Sequence, residues 1–222
     1  PETLYWGRVK LHDFGGFSTS SIREAIERGD FTGWDDPRLP TVSALRRRGY
    51  TPEAIREFWI DLGLTQKDIS ISMQTIDSKN SKIIDSKTVR RSFVENPVDL
   101  KLVYQGNSTQ IDEVVRLRNH PDHDDMGYRE WTLGRRSIKI SKRDYSQGIV
   151  RLKDFADVKI DGENAIFISR EKTGDSPIIH WNSSDNFTNA EIIIPEDGEN
   201  RIVTGIIENA EYTVGQVVQL ER

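Results

Sequence analysis

The chain has 222 residues, 35% of them hydrophobic and 30% charged, with 19 aromatic side chains and no cysteine. That composition affords a folded core and excludes disulfides, thiolate metal sites and a cysteine nucleophile. A net charge of −5 argues against a broadly basic nucleic-acid surface, although a local basic face can hide inside an acidic total.

No apolar stretch approaches the roughly 20 residues that cross a bilayer, and the first residues carry neither the basic nor the apolar region of a signal peptide. The expectation is a soluble, cytoplasmic protein without a membrane partner. Up to Arg90 there are 14 Lys and Arg against 13 Asp and Glu, and beyond it 17 against 23, so neither part is basic.

In chain order, Ser20 or Ser21 is the expected N-cap of a first helix, with capping-box spacing over Ser21-Ile22-Arg23-Glu24. Ile22, Ala25 and Ile26 form its apolar stripe, and Gly29 stops it. Gly33-Trp34-Asp35-Asp36-Pro37-Arg38-Leu39-Pro40 reads as a turn-rich segment held out of regular structure by its prolines. Thr41 caps a helix over Val42 to Arg48, ended by Gly49. Thr51-Pro52-Glu53 starts another, whose face is Ile55, Phe58, Trp59 and Leu62 and whose end is Gly63. Thr65 then begins a weaker helical stretch through Met73, Ile76 and Ile83.

After about Arg90 the pattern becomes short β-rich runs. They are Leu100 to Tyr104 before a Gly106-Asn107 turn, Ile111 to Leu117, Ile138 to Ile140, Ile149 to Leu152 and Ala165 to Ile168. Ile178 to Trp181, Ala190 to Ile194, Ile202 to Thr204 and Val217 to Leu220 continue the series. Such spacing suggests sandwiches or small barrels and not βαβ units.

Chemistry-bearing motifs are sparse. Asn119-His120-Pro121-Asp122-His123-Asp124-Asp125 has metal-ligand residue types but no second cluster at ligand spacing, so it reads as a polar turn and no metal is expected. His180 beside Trp181 reads as a hydrogen-bonded strand histidine. No G-x-S-x-G elbow or P-loop is present. Gly15-Gly16-Phe17-Ser18-Thr19-Ser20-Ser21 is a small-hydroxyl loop feeding a helix start, where backbone N–H groups can meet an anion. Arg46-Arg47-Arg48 is the densest positive run and is either a solvated face or a phosphate contact. The residues alone give a helical part followed by small β-domains, without a self-contained active site.

Read as a whole, Gly33-Trp34-Asp35-Asp36-Pro37-Arg38-Leu39-Pro40-Thr41, then Leu45 to Thr51 and Ile55-Arg56-Glu57-Phe58, resembles the region after the catalytic domain of glutaminyl-tRNA synthetases and archaeal/eukaryotic-type glutamyl-tRNA synthetases. The likeness continues through Asn119-His120-Pro121, Met126-Gly127, Val150-Arg151-Leu152, Ile179-His180-Trp181 and Gln219-Leu220-Glu221-Arg222. The compact β-region and Tyr5-Trp6-Gly7-Arg8 look more like the archaeal glutamyl enzymes.

The resemblance implies an α+β fold, a short helical bridging subdomain followed by two small antiparallel β-barrels of anticodon-binding type. Residues 1–23 would be the tail of the catalytic domain, 24–88 the helical tRNA-stem-contacting subdomain, and 89–222 the anticodon-binding region, with the barrels meeting near 172–178 and the C-terminus truncated. It implies a glutamate–tRNA ligase using Mg-ATP, of which this portion would neither bind ATP nor aminoacylate alone. Ser18, Thr19 and Ser20 match its ATP-contacting loop, with Thr19 where that loop carries a lysine. Arg90, Gln219 and Arg222 match residues used around the middle anticodon base, Arg151 one used near the first base, and Asp122 lies in the same region. Thr65, Gln66 and Lys67 are the stem-phosphate candidates. The implied partner is tRNA, of glutamate and, as an open alternative, of glutamine also, with no DNA. A free-standing tRNA-binding or assembly module without catalysis is the rival reading.

Overall fold

A computed structural model describes residues 5–14, 16–104, 113–134, 137–196 and 198–221. Arg222, Gly15, the Gly106-Asn107 turn and Ile111 lie outside the described residues. The chain divides into two compact units, one of residues 1–88 with 193–202, the other of 89–192 with 203–222.

The first unit holds β1 (Val9–Leu11), α1 (Thr19–Arg28), α2 (Val42–Arg47), α3 (Pro52–Leu62), β2 (Ile69–Ile71) and α4 (Met73–Asp85). Its helices begin where a hydroxyl can satisfy an orphan N–H. Thr41 accepts from Ala44 N at 3.0 Å and Thr51 from Ala54 N at 3.2 Å, with Pro52 at the first helical position. α1 starts earlier than the sequence suggests. Its cap is Ser18, whose Oγ accepts from Ser21 N at 3.1 Å while Ser21 Oγ accepts from Ser18 N at 2.9 Å. A serine at the third helical position thus closes the reciprocal pair that Glu24 was expected to close, because its short hydroxyl already reaches the cap.

The expected helix from Thr65 does not form. Residues 64–68 are irregular, and Ile69–Ile71 instead runs parallel to Val9–Leu11 as a two-stranded ladder. Arg8 N donates to Asp68 Oδ1 at 2.8 Å, drawing this segment into the ladder and delaying the helix to Ser72, the cap of α4. Leu45, Tyr50, Phe58, Met73 and Ile76 form the core between α2, α3 and α4, and Ile22, Leu39 and Ala44 a second cluster against α1. Trp59, expected on the buried face of α3, is 40% exposed and meets Trp6 edge to face.

The second unit opens with β3 (Arg90–Glu95), β4 (Pro97–Val103), β5 (Glu113–Arg118) and β6 (Tyr128–Leu133). It continues through β7 (Ser137–Ser141), β8 (Gly148–Leu152), β9 (Ala156–Asp161), β10 (Asn164–Ser169), β11 (Ile178–Ile179) and β12 (Trp181–Ser183). β13 (Phe187–Glu196), β14 (Glu199–Glu208) and β15 (Gln219–Glu221) follow, with 193–202 around the β13–β14 turn grouping with the first unit. Among the described residues, one sheet has the order β11-β8-β9-β10-β4-β7-β12, another β13-β14-β3-β15, and β5 and β6 form a two-stranded sheet.

The class is α+β, but the sheets are mixed where antiparallel pairing was expected. β10 runs parallel to β4, β11 to β8 and β15 to β3. The alternation of buried and exposed residues reports which face a strand buries and carries no information on the direction of its neighbour. The two edge strands of the seven-stranded sheet are separated by a single residue, His180, so the sheet curls until its edges converge. One core fills the concave side, with Leu100, Leu102, Ile138, Ile140, Val158 and Trp181 among its members. Trp181 meets Trp131 edge to face at 5.0 Å.

Gly205 of β14 lies opposite Glu95 of β3, where a side-chain carbon would sit 2.4 Å from the Val94 carbonyl oxygen and 2.7 Å from the Phe93 ring. Backbone cannot yield as a flexible side chain does. Gly205→Ala should lower stability by roughly 1–3 kcal/mol, read as a lower urea midpoint with unchanged m-value.

Candidate nucleic-acid interface

Arg90 opens β3 and Gln219 opens β15, and the parallel register sets them directly side by side. Gln219 N donates to the Val89 carbonyl at 3.2 Å and Arg90 N to the Asn119 carbonyl at 2.8 Å, so both positions are fixed through the backbone. Two residues on, and therefore on the same strand face as Gln219, Glu221 turns its carboxylate toward two cations and an imidazole. Oε1 accepts from Lys153 Nζ and lies 3.8 Å from Arg90 Nη1, while Oε2 lies 3.9 Å from His180 Nδ1. Burial, aided by the Lys153 cation, holds the His180 imidazole below its ordinary pKa. The Trp181 indole donates to the Lys153 carbonyl at 3.0 Å and anchors this residue between β8 and β9.

Arg151 of β8 is held by different partners. Its guanidinium donates to Asp157 Oδ1 at 3.0 Å and to the Arg170 carbonyl at 2.8 Å, and its side chain is 15% exposed. It is not the solvent-facing strand residue that the sequence alone suggests, since its guanidinium sits against a buried carboxylate. Burial of Asp157 works against ionisation, but the Thr173 N–H and hydroxyl, both at 2.7 Å, and Arg151 prevail, and its pKa lies below the usual range. Asp122 sits exposed on the turn joining β5 to β6, with its backbone N–H donating to His120 Nδ1 at 3.1 Å. His120 is buried and packs against the His123 ring at 4.5 Å.

A buried ion triad underlies β3. Glu208 of β14, 1% exposed, takes Arg129 Nε at 2.8 Å and Arg91 Nε at 3.3 Å, and its Oε2 accepts from Ser92 N at 3.3 Å. Burial raises the carboxyl's pKa even against the two guanidinia. Arg91 also donates to the Arg90 carbonyl at 3.1 Å and to Asn119 Oδ1 at 3.0 Å, so the triad clamps the backbone on which Arg90 stands. Sequence reasoning passed over Lys153, Glu221 and this triad. A glutamate two residues beyond Gln219 was the one available signal, since period-2 geometry puts both on one face.

In the first unit, Ser18 caps α1 while Thr19 and Ser20 form its exposed first turn. Thr65 and Lys67 occupy a loop in which Thr65 Oγ1 accepts from Lys67 N at 3.2 Å, so the expected phosphate-facing helix start is absent there. The tryptophan-aspartate-aspartate-proline-arginine block forms a closed knot. Asp36, fully buried, accepts from Thr32 N at 3.0 Å, from Arg38 N at 3.1 Å and from the Arg38 fork at 2.8 and 2.9 Å. Arg38 also lies over the Phe31 ring at 4.7 Å. In the run of three arginines, Arg47 approaches Asp35 at 3.3 Å and Arg48 lies over Tyr50 at 5.4 Å.

Two family models match this chain in tandem. The model for the catalytic domain of class I tRNA synthetases (E and Q) covers residues 18–86, and that for their anti-codon binding domain covers 88–171. The glutamate–tRNA ligase of Archaeoglobus fulgidus is 40% identical over 229 residues, that of Methanosarcina barkeri 37% over 233 and that of Methanothrix thermoacetophila 40% over 238. Each alignment takes in 100% of this chain and 39% of the relative, so the chain spans about two fifths of their length.

Proposed function

Because the chain belongs to the class I (E and Q) tRNA synthetases, we propose that it is the tRNA-holding, anticodon-reading part of a glutamate–tRNA ligase. The observation that carries this reading is the pairing of Arg90 with Gln219 at the openings of two parallel strands. An amide that both donates and accepts, beside a guanidinium whose strand position is fixed through the backbone, suits the edge of an unstacked uracil, and single-stranded loops expose such edges. The acidic total is no obstacle, since a few placed side chains do the reading.

The same reading extends to architecture. Two small barrels would present the loop, one closed through His180 and the other built on β13, β14, β3 and β15. Residues 18–20 would face the nucleotide. Their hydroxyls and the first turn of α1 suit hydrogen bonds to a phosphate, and no cation lies among residues 17–21. In the whole ligase, where Mg-ATP would serve to activate glutamate, this segment would hydrogen-bond the nucleotide's phosphates without neutralising them.

The test is fluorescence anisotropy with anticodon stem-loops bearing U-U-C or C-U-C at moderate salt. Arg90→Ala or Gln219→Ala should each weaken binding about tenfold or more, as expected for loss of a hydrogen bond involving a charged or closely fitted partner. Unchanged binding in both variants would sink the assignment.

A further inference from the structure

Glu221 draws more hydrogen-bond donors than a structural ion pair requires. Lys153, Arg90 and His180 surround one carboxylate, yet only Lys153 is in close contact, with Arg90 at 3.8 Å and His180 at 3.9 Å. These three side chains are about one quarter exposed, so solvent and ligand reach them, while Glu221 itself is 10% exposed. A carboxylate and a phosphodiester both present two anionic oxygens to such donors. The phosphodiester is larger and would meet all three groups at once. Glu221 stands on a strand of only three residues at a sheet edge, the kind of element that releases a side chain at little expense. The group is continuous with Arg90 and Gln219, which links it to the proposed reading site.

We propose that Arg90, Lys153 and His180 form a receptor for one backbone phosphodiester of the bound RNA, and that Glu221 occupies it as an internal stand-in until the RNA displaces it. The proposal rests on the anticodon-reading function above. Glu221 therefore opposes binding of the RNA while keeping two cations and the His180 imidazole ordered in its absence.

The experiment measures anticodon stem-loop binding to the wild-type chain and to Glu221→Gln, which keeps the side chain's size. Removing the competing charge should tighten binding about three- to tenfold. Methylphosphonate linkages, introduced one at a time around the loop, should erase that gain at one position and leave it at the others. Glu221→Gln with Lys153→Gln should bind no tighter than wild type. Replacing chloride by inorganic phosphate at matched ionic strength should leave the gain in place; abolition would assign the receptor to the free ion and overturn the proposal. Equal or weaker binding by Glu221→Gln, with an unchanged melting midpoint, also overturns it. If the wild-type chain itself does not bind the stem-loop, the anticodon reading has failed, a distinct result.

Discussion

Glu208→Ala should lower the stability of the β-rich unit by about 3–5 kcal/mol, the expected result of removing one member of a buried ion network. The change takes away the carboxylate that Arg91 and Arg129 share and leaves two guanidinia, 16% and 12% exposed, without their counter-charge. It also frees Ser92 N and loosens the stretch of β3 that carries Arg90. Urea unfolding followed by tryptophan fluorescence measures the loss, because Trp131 and Trp181 both lie in this unit's core. Converting all three residues to apolar ones of similar size, Arg91→Met, Glu208→Leu and Arg129→Met, should recover most of that stability, since no charge then remains buried alone. On the proposed function, stem-loop affinity should not recover with it, because the Arg91 bonds to the Arg90 carbonyl and Asn119 are gone. Full recovery of both would show the triad to be packing only.

The second large effect lies in the helical unit. Asp36→Ala removes a fully buried carboxylate with partners on Thr32 and Arg38, and a loss of about 3–5 kcal/mol is expected. The Arg38 guanidinium is the largest influence on Asp36 and holds its carboxyl well below the usual carboxylate range, with the backbone N–H groups adding to it against burial. A depressed folded pKa stabilises only where the unfolded carboxyl would already be ionised. The contribution is therefore complete above about pH 4 and is shed as pH falls toward the depressed folded value. An acid titration of helix signal should show wild type losing stability across that window while Asp36→Ala is flatter. A parallel pH response in the two proteins would contradict the assigned role.

These two sites divide what the sequence discloses from what it conceals. Caps are local chemistry, so Thr41, Thr51 and Gly29 were legible, and so were most strands, through runs such as Ile138 to Ile140. Ser18 was missed by a few residues because three neighbouring hydroxyls could each serve, and geometry selects among them. The helix expected at Thr65 failed for a non-local reason: β1 pairs with β2, and no pattern within residues 64–71 announces a partner near residue 9. β3, β6 and β9 were passed over because their charged residues, Arg91, Arg129 and Asp157 among them, mask the apolar alternation. Those charges are buried in ion pairs, and burial of a charge depends on a partner that only the fold supplies. Arg90 and Gln219 were named through family resemblance, whereas their adjacency is a product of the parallel ladder.

The junction at His180 has a further consequence, for behaviour in concentrated solution. A seven-stranded sheet ordinarily ends in two rows of unpaired N–H and C=O groups, which invite a strand from another molecule. Here the outermost strands are two and three residues long, and a single residue joins them. Their combined length is too short to template a stable intermolecular ladder, for which several consecutive residues are required. The seven-stranded sheet thereby limits any tendency of the chain to aggregate through its edges.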